Sequence, residues 1–211
     1  MSIIVINPNS NEAVTQGLRE ALAPFPKTEC ITLTSGPFGI ENQADSDSVI
    51  LPMLEVIKSR QDASAFVIAC YSDPGLEAAR EASPVPVFGI QETGVTTAMC
   101  RADMFGVISI GEASIPRHRR YMRRMGVLHR LAGDCALNMS VDETARGADT
   151  FARLITVGNT LIADGAESLI LGCAGMAKHR APLEAELGVP VIDPTQAAVA
   201  MALGTVFASH F

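Results

Sequence analysis

The chain has 211 residues, 48% of them hydrophobic, and a formal net charge of −7. That apolar content provides a substantial core and excludes a disordered chain, while the length allows one large domain or two small lobes. The acidic balance argues against a general nucleic-acid or membrane-surface binder, and no apolar run reaches the ~20 residues that a membrane span needs.

Cys30, Cys70, Cys100, Cys135 and Cys173 are odd in number and widely spaced, with no CxxC pair. The first residues read as a strand, not as a basic leader. Reduced thiols in a cytoplasmic protein are therefore expected, with neither a disulfide framework nor a structural zinc site.

In chain order, Ile3–Ile6 form a β-branched strand, ended by Asn7-Pro8-Asn9-Ser10-Asn11. Asn9 and Glu12 have the spacing of a capping box, so a helix is predicted over 12–22. A strand at 29–34 and a Gly36–Gly39 loop follow. Next comes a helix over 45–60, in which Pro52 implies a kink or a late start. Residues 65–69 are apolar throughout, as in a strand buried on both faces of a parallel sheet. Cys70 stands at its C-terminal end. Asp73-Pro74 has the form of an N-cap followed by proline at the first helical position, predicting a helix to Ala82. A strand at 85–90 and a helix at 92–102 close this half.

A second series opens with the strand Phe105–Ile110. A basic helix capped by Ser114, a strand at 134–138 and a long helix from Asp142 to Ala163 come next. The apolar strand Ser168–Leu171 leads into Gly172-Cys173, and a helix runs on to Leu187. Strand 189–192 and a helix opened by Asp193-Pro194, reaching about Ser209, end the chain.

Alternating strands and helices imply an α/β fold of mostly parallel sheets flanked by helices. There is also an internal repeat. Cys70 is followed 16 residues later by the proline of Val85-Pro86-Val87, and Cys173 17 residues later by that of Val189-Pro190-Val191. A repeat of this length points to two similar lobes.

Ligands of open parallel sheets bind beyond the carboxyl ends of the strands, where both cysteines fall. A helix N-terminus next to each favours thiolate and can hold an anion. Two such bases on opposite faces of one carbon would remove a proton from one side and return it from the other. The product is the mirror-image stereocentre, and no cofactor is required. Lys27, Lys58 and Lys178 offer no clear Schiff-base position, which disfavours pyridoxal phosphate. A buried free cysteine is more often a small core residue, and that reading is kept for Cys30, Cys100 and Cys135.

These residues carry a family resemblance. Ile6-Asn7-Pro8-Asn9-Ser10, Cys70-Tyr71-Ser72-Asp73-Pro74-Gly75, Gly172-Cys173-Ala174-Gly175-Met176 and Asp193-Pro194-Thr195 resemble motifs of the aspartate/glutamate/hydantoin racemase superfamily, nearest its hydantoin and allantoin racemase branch. The resemblance implies two pseudo-symmetric α/β lobes with the active site in the cleft between them. It also implies a cofactor-independent two-base mechanism with Cys70 and Cys173 as the catalytic pair. The last helix would return to the first lobe, giving lobes of 1–95 with 198–211, and 96–197. A homo-oligomer is expected by analogy. Where that branch often carries Glu-Ala after the fourth strand, this chain has Gln91-Glu92-Thr93, so an altered pocket wall is expected.

Asn7, Tyr71, Ser72, Thr93, Ala174 and Gly175 are the candidate substrate-binding residues. Asn7 and Ser72 supply polar side chains, and Ala174 and Gly175 supply backbone N–H groups. Glu41 is either a cleft gate or an exposed loop carboxylate. His179 is the one histidine expected near the site. The run Pro116–Arg124 reads as a solvated helix face, or as a basic patch steering anionic substrates. The expected substrate is small, anionic or imide-like, with an acidic C–H: a 5-substituted hydantoin or allantoin. Alternatives are an aspartate/glutamate racemase, a maleate-isomerase-like enzyme in which one cysteine attacks a double bond, and a non-catalytic sensor of small acids.

Overall fold

Four strands of the chain are apolar but for a terminal Asn7, Ser109 or Ser168, and each is buried along its whole length. A strand buried on both faces needs a neighbour on each side and helices above and below, which is the setting of a central strand in a parallel sheet. The computed structural model describes residues 2–208 and provides that setting twice. The expected ends of the first lobe at residues 1 and 209–211, and His210, fall outside the described residues.

The first series is β1 (Ile3–Asn7), α1 (Glu12–Ala21), β2 (Thr28–Thr32), α2 (Gln43–Ser48), α3 (Ile50–Ser59), β3 (Ala65–Ile68), α4 (Leu76–Ala82), β4 (Val87–Gly89) and α5 (Ile90–Arg101). The second is β5 (Phe105–Ser109), α6 (Ile115–Arg124), β6 (Leu131–Ala136), α7 (Val141–Arg146), α8 (Thr150–Ala163), β7 (Ser168–Leu171), α9 (Arg180–Leu187), β8 (Val191–Ile192) and α10 (Pro194–Ala208). Every strand pair is parallel, and the sheet orders are β2-β1-β3-β4 and β6-β5-β7-β8. Both sheets thus have one topology, with β5 to β8 standing for β1 to β4.

Equivalent backbone hydrogen bonds fix the correspondence residue by residue. Ala69 N donates to Ile6 O and Gly172 N to Ile108 O, each at 2.8 Å. Phe66 N donates to Pro86 O and Leu169 N to Pro190 O, each at 2.9 Å. The repeated prolines therefore sit where β4 and β8 begin as edge strands, offering a carbonyl while lacking an N–H to leave unpaired. Cys70 and Cys173 occupy the same structural position, one residue past those matched bonds.

The two halves are locked together by an exchange of helices. α5, which leaves β4, packs on β5, β7 and β8 of the other sheet, and α10, which leaves β8, packs on β1, β3 and β4. The two helices also pack on each other, and one apolar core runs from Ile3, Val5 and Val67 through Val95, Ala98, Val199 and Ala202 to Phe105 and Ile170. Alternate residues of the first sheet, Ile4, Ile6, Phe66 and Ile68, face a second core against Met53, Ile57 and Leu76.

Several local expectations change. The 45–60 helix is two helices joined at Val49, and Pro52 sits in the first turn of α3, where its missing N–H is harmless. The long helix from Asp142 is broken into α7 and α8. Ser140 caps α7 with a full capping box to Glu143, and Gly147 ends it where a Cβ would lie 2.5 Å from Glu143 O. Ser114 precedes α6 without a side-chain capping bond.

At the α5–α10 crossing, a Cβ on Gly94 would lie 2.8 Å from Pro194 Cβ. Gly94→Val forces the helices apart. It is expected to lower unfolding free energy by about 1–3 kcal/mol in urea denaturation, as overpacking of a dense core does.

Candidate active site

Both cysteines open onto one cleft between the two sheets' C-terminal ends. Ala69, Cys70, Tyr71 and Ser72 form one wall, and Gly172, Cys173 and Ala174 the other. Val14, Ile40, Ile110 and Val141 make its apolar lining, and Asn9, Ser114, Arg117 and His118 its remaining polar lining. The wall at Gly172 is close: a Cβ there would lie 2.7 Å from Ile108 O. Among the described residues no group of three His, Cys, Asp or Glu side chains is placed to hold a metal ion.

Cys173 is the N-cap of a 3-10 helix over Ala174–His179, and its Sγ accepts from Gly175 N at 3.4 Å and lies 3.7 Å from Thr144 Oγ1. Cys70 precedes a turn closed by Asp73 N donating to Cys70 O at 3.0 Å. Burial pushes the Cys70 thiol up to about 12, with Cys173 and Asp73 adding to the rise and Arg117 opposing it. Burial likewise raises Cys173, against the bonds from Gly175 and Thr144. The helix-end lowering expected from sequence is outweighed, because the sulfurs are largely withdrawn from solvent and the charged form loses hydration. Cys30, Cys100 and Cys135 are free thiols outside this lining.

Of the other residues singled out by sequence, Tyr71, Ser72 and Ala174 line the cleft, while Asn7, Thr93 and Gly175 do not. Asn7 is fully buried, and its amide is consumed by Asn9 Oδ1, Asn11 O, Thr15 Oγ1 and Asn9 N. Its work is to shape the β1–α1 turn, and Asn9 reaches the cleft in its place. Asn9 accordingly is not the N-cap of α1; Asn11 is, accepting from Ala13 N at 3.0 Å. Thr93 turns back on Gly89 O at 2.8 Å within α5. Gly175 acts through its N–H on Cys173. Tyr71 is buried edge-on to His118, with ring centroids 4.9 Å apart.

Gln91, Glu92 and Thr93 are absent from the lining, so the expected change of pocket wall is not found there. Gln91 N and Glu92 N instead donate to Asp73 at 2.9 Å each. Asp73 thus caps α5 and not the helix that follows it, which starts at Leu76 after Gly75 at φ 64. Burial raises the Asp73 carboxyl to about 7, against those two bonds. His179 stacks on Phe151, 5.9 Å between centroids, away from the cleft.

Sequence reading missed Arg117 and His118, hidden in a charge run. α6 splits that run by face: Arg117, His118 and Met122 are buried, whereas Arg119, Arg120, Arg123 and Arg124 are exposed. The 118/122 spacing is the one periodic hint. His118 Nδ1 lies 3.1 Å from both Ser109 Oγ and Asp134 Oδ2, and Ser109 donates to Asp134. Serine and aspartate meet the same ring nitrogen, so this is not the relay of a serine hydrolase, in which they meet opposite nitrogens.

Paired thiols at matched strand ends, facing one small cleft, define a site for proton transfer at a carbon or for attack on a small electrophile. The family model for Asp/Glu/Hydantoin racemase matches residues 3–202, and the chain belongs to that family, whose members are racemase-type isomerases. It is 36% identical to a hydantoin racemase of Paenarthrobacter aurescens, over 96% of this chain and 89% of that protein. Its fold matches an allantoin racemase from Klebsiella pneumoniae with a TM-score of 0.93 at 30% identity, covering 99% of this chain and 89% of that one. The allantoin racemase from Pseudomonas fluorescens matches with a TM-score of 0.91 at 28% identity, covering 99% and 92%.

Asp73 gives a test by pH. Its folded value, about 7, lies above its usual 3.8. The folded state thus holds its proton to higher pH, and stability from this group is lost as pH rises from about 4 through 7. Unfolding free energies measured at pH 5 and pH 8 should fall by up to about 1.4 kcal/mol per pH unit across that window in the wild type, and less in Asp73→Asn.

Proposed function

We propose that this protein racemises a 5-substituted hydantoin, allantoin or a close relative by cofactor-independent proton transfer between Cys70 and Cys173. The observation that carries the reading is the equivalence of the two thiols: same strand end, same backbone bond pattern, one shared cleft. One sulfur, as thiolate, takes the proton from the stereogenic carbon. Its electron pair moves into the adjacent carbonyl as an enolate. The other sulfur, as thiol, returns its own proton to the opposite face. The two cysteines have then exchanged protonation states, ready for the reverse enantiomer.

Burial of both sulfurs suits this chemistry. A carbon acid of this kind is weak, and a thiolate whose conjugate acid is pushed up is a stronger base toward it. The apolar walls also keep water from protonating the enolate at random. Asn9, Ser72 and the Ala174 N–H stand at the edge of the cleft for the ring amides. The relatives named for hydantoin and allantoin racemisation support this substrate class over an amino acid or maleate.

Single enantiomers of 5-substituted hydantoins and of allantoin, incubated in D2O, are expected to lose optical rotation and gain deuterium at the stereocentre. Retention of rotation and proton by every one of them would overturn the reading. Cys70→Ser and Cys173→Ser should each lower racemisation by about 10²–10⁴-fold, the usual worth of a positioned general base. Each single variant should still exchange the proton of one enantiomer, the opposite one in each case. The rate should keep rising above pH 8.5, where a free thiol already ionises.

A further inference from the structure

Resting on that two-base reading, we infer that Arg117 is the counter-charge of the Cys70 thiolate. Beyond the backbone N–H that each sulfur has, from Ser72 and from Gly175, the two half-reactions are then served by different side chains: a buried guanidinium for Cys70, and the Thr144 hydroxyl for Cys173.

Arg117 is 9% exposed and lines the cleft, yet it forms no salt bridge with a carboxylate among the described residues. Nη1 donates to Ala113 O at 3.1 Å and to Glu41 O at 3.3 Å, and Nη2 to Ser114 Oγ at 3.4 Å. Nε is buried with no partner. A guanidinium taken out of water without an anion is destabilising, and such a charge is retained where an anion arrives during function. No Asp or Glu lines the cleft, so the anion must be a thiolate or the bound substrate.

The neighbours favour Cys70. Arg117 and Cys70 each feel the other's charge, whereas the charged group felt by Cys173 is Glu41. Cys70 is also faced by Cys173 and Asp73, with Tyr71 and His118 beside it on the cleft wall. Arg120 and Asp45 face Arg117 from outside. Each sulfur has a backbone N–H two residues on, Ser72 for Cys70 and Gly175 for Cys173; Cys173 also has the Thr144 hydroxyl at 3.7 Å, and no side-chain donor is bonded to Cys70.

The test needs no substrate, so it stands apart from the identity of the hydantoin. Alkylation by iodoacetamide is followed for each cysteine separately by peptide mass spectrometry, from about pH 8 to about pH 11. Asp73 stays ionised across that window. In Arg117→Met, the Cys70 rate should fall about tenfold at a given pH, a displacement of about one unit, with the Cys173 profile unmoved. Arg117→Lys, which keeps the charge, should restore most of the Cys70 rate. Thr144→Val should displace Cys173 and leave Cys70 alone. An unmoved Cys70 profile, equal displacement of both cysteines, or failure of lysine to rescue would each overturn the assignment. Failure of the wild type to racemise any hydantoin, with the Cys70 profile displaced as expected, would instead overturn the substrate reading alone.

Discussion

The crossing of α5 over α10 is the contact on which the cleft depends. Each helix leaves the edge strand of one sheet and packs on the central strands of the other. Two half-molecules joined by a single linker would sit at variable angles, and the distance between Cys70 and Cys173 would vary with them. The exchange removes that freedom by making one apolar core from parts of both halves. Small residues permit it: Gly94 meets Pro194, and Ala98, Ala198 and Ala202 are fully buried. The close approach at this axis fixes where the ends of β3 and β7 come to rest.

Electrostatics within the cleft follow from that closure. Burial raises both thiols, so the empty cleft favours two neutral S–H groups, and a thiolate must be stabilised locally when it forms. The loop before α2 adds to the closure. Glu41 accepts from Val141 N at 3.2 Å through its side chain and from Arg117 through its carbonyl, and Asn11 donates to Asp142 at 2.9 Å. The first half of the chain is thereby tied to α6 and α7 of the second, around the rim of the cleft. Glu41 is neither a free loop carboxylate nor a lining residue; it is a strut.

The strand ends and the two cysteines were legible because a fully apolar run of four or five residues has few other uses, and because the cysteine-to-proline spacing repeats. The capping of α5 was not legible. By the matched bonds Gly89 stands where Asp193 stands in the second half, and Asp193 caps α10 through Thr195 N at 2.8 Å. Glycine has no side chain to do this. A Cβ on Gly89 would lie 2.3 Å from the Asp73 carboxylate, which fills the vacancy from 16 residues upstream. One carboxylate position is thus supplied by two different parts of the chain, and a local motif reading assigns Asp73 to its own next helix. Arg117 and His118 were hidden for a related reason. A run of six charged or basic residues reads as a surface face, and only the packing of α6 shows which of them turn inward.

The two halves also differ where a repeat would predict likeness. At the end of β1, Asn7 bonds Thr15, which bonds Thr32, and Thr32 donates to the exposed Glu12; beside the end of β5, Ser109 and the buried His118 meet Asp134, and His118 borders the cleft. This puts the basic side chains of the cleft wall, Arg117 and His118, on one half. Such asymmetry is compatible with interconverting mirror images. Two enantiomers free in water have equal free energies, so kcat/KM must be equal in both directions however differently the two sulfurs are surrounded. What unequal surroundings change is the balance between the two bound enantiomers and between the two thiolate forms. A racemase is therefore free to build its two bases from different materials, provided both reach the same carbon. On the proposed two-base mechanism that reach is the work of the α5–α10 crossing, while the lining of each half is left to diverge.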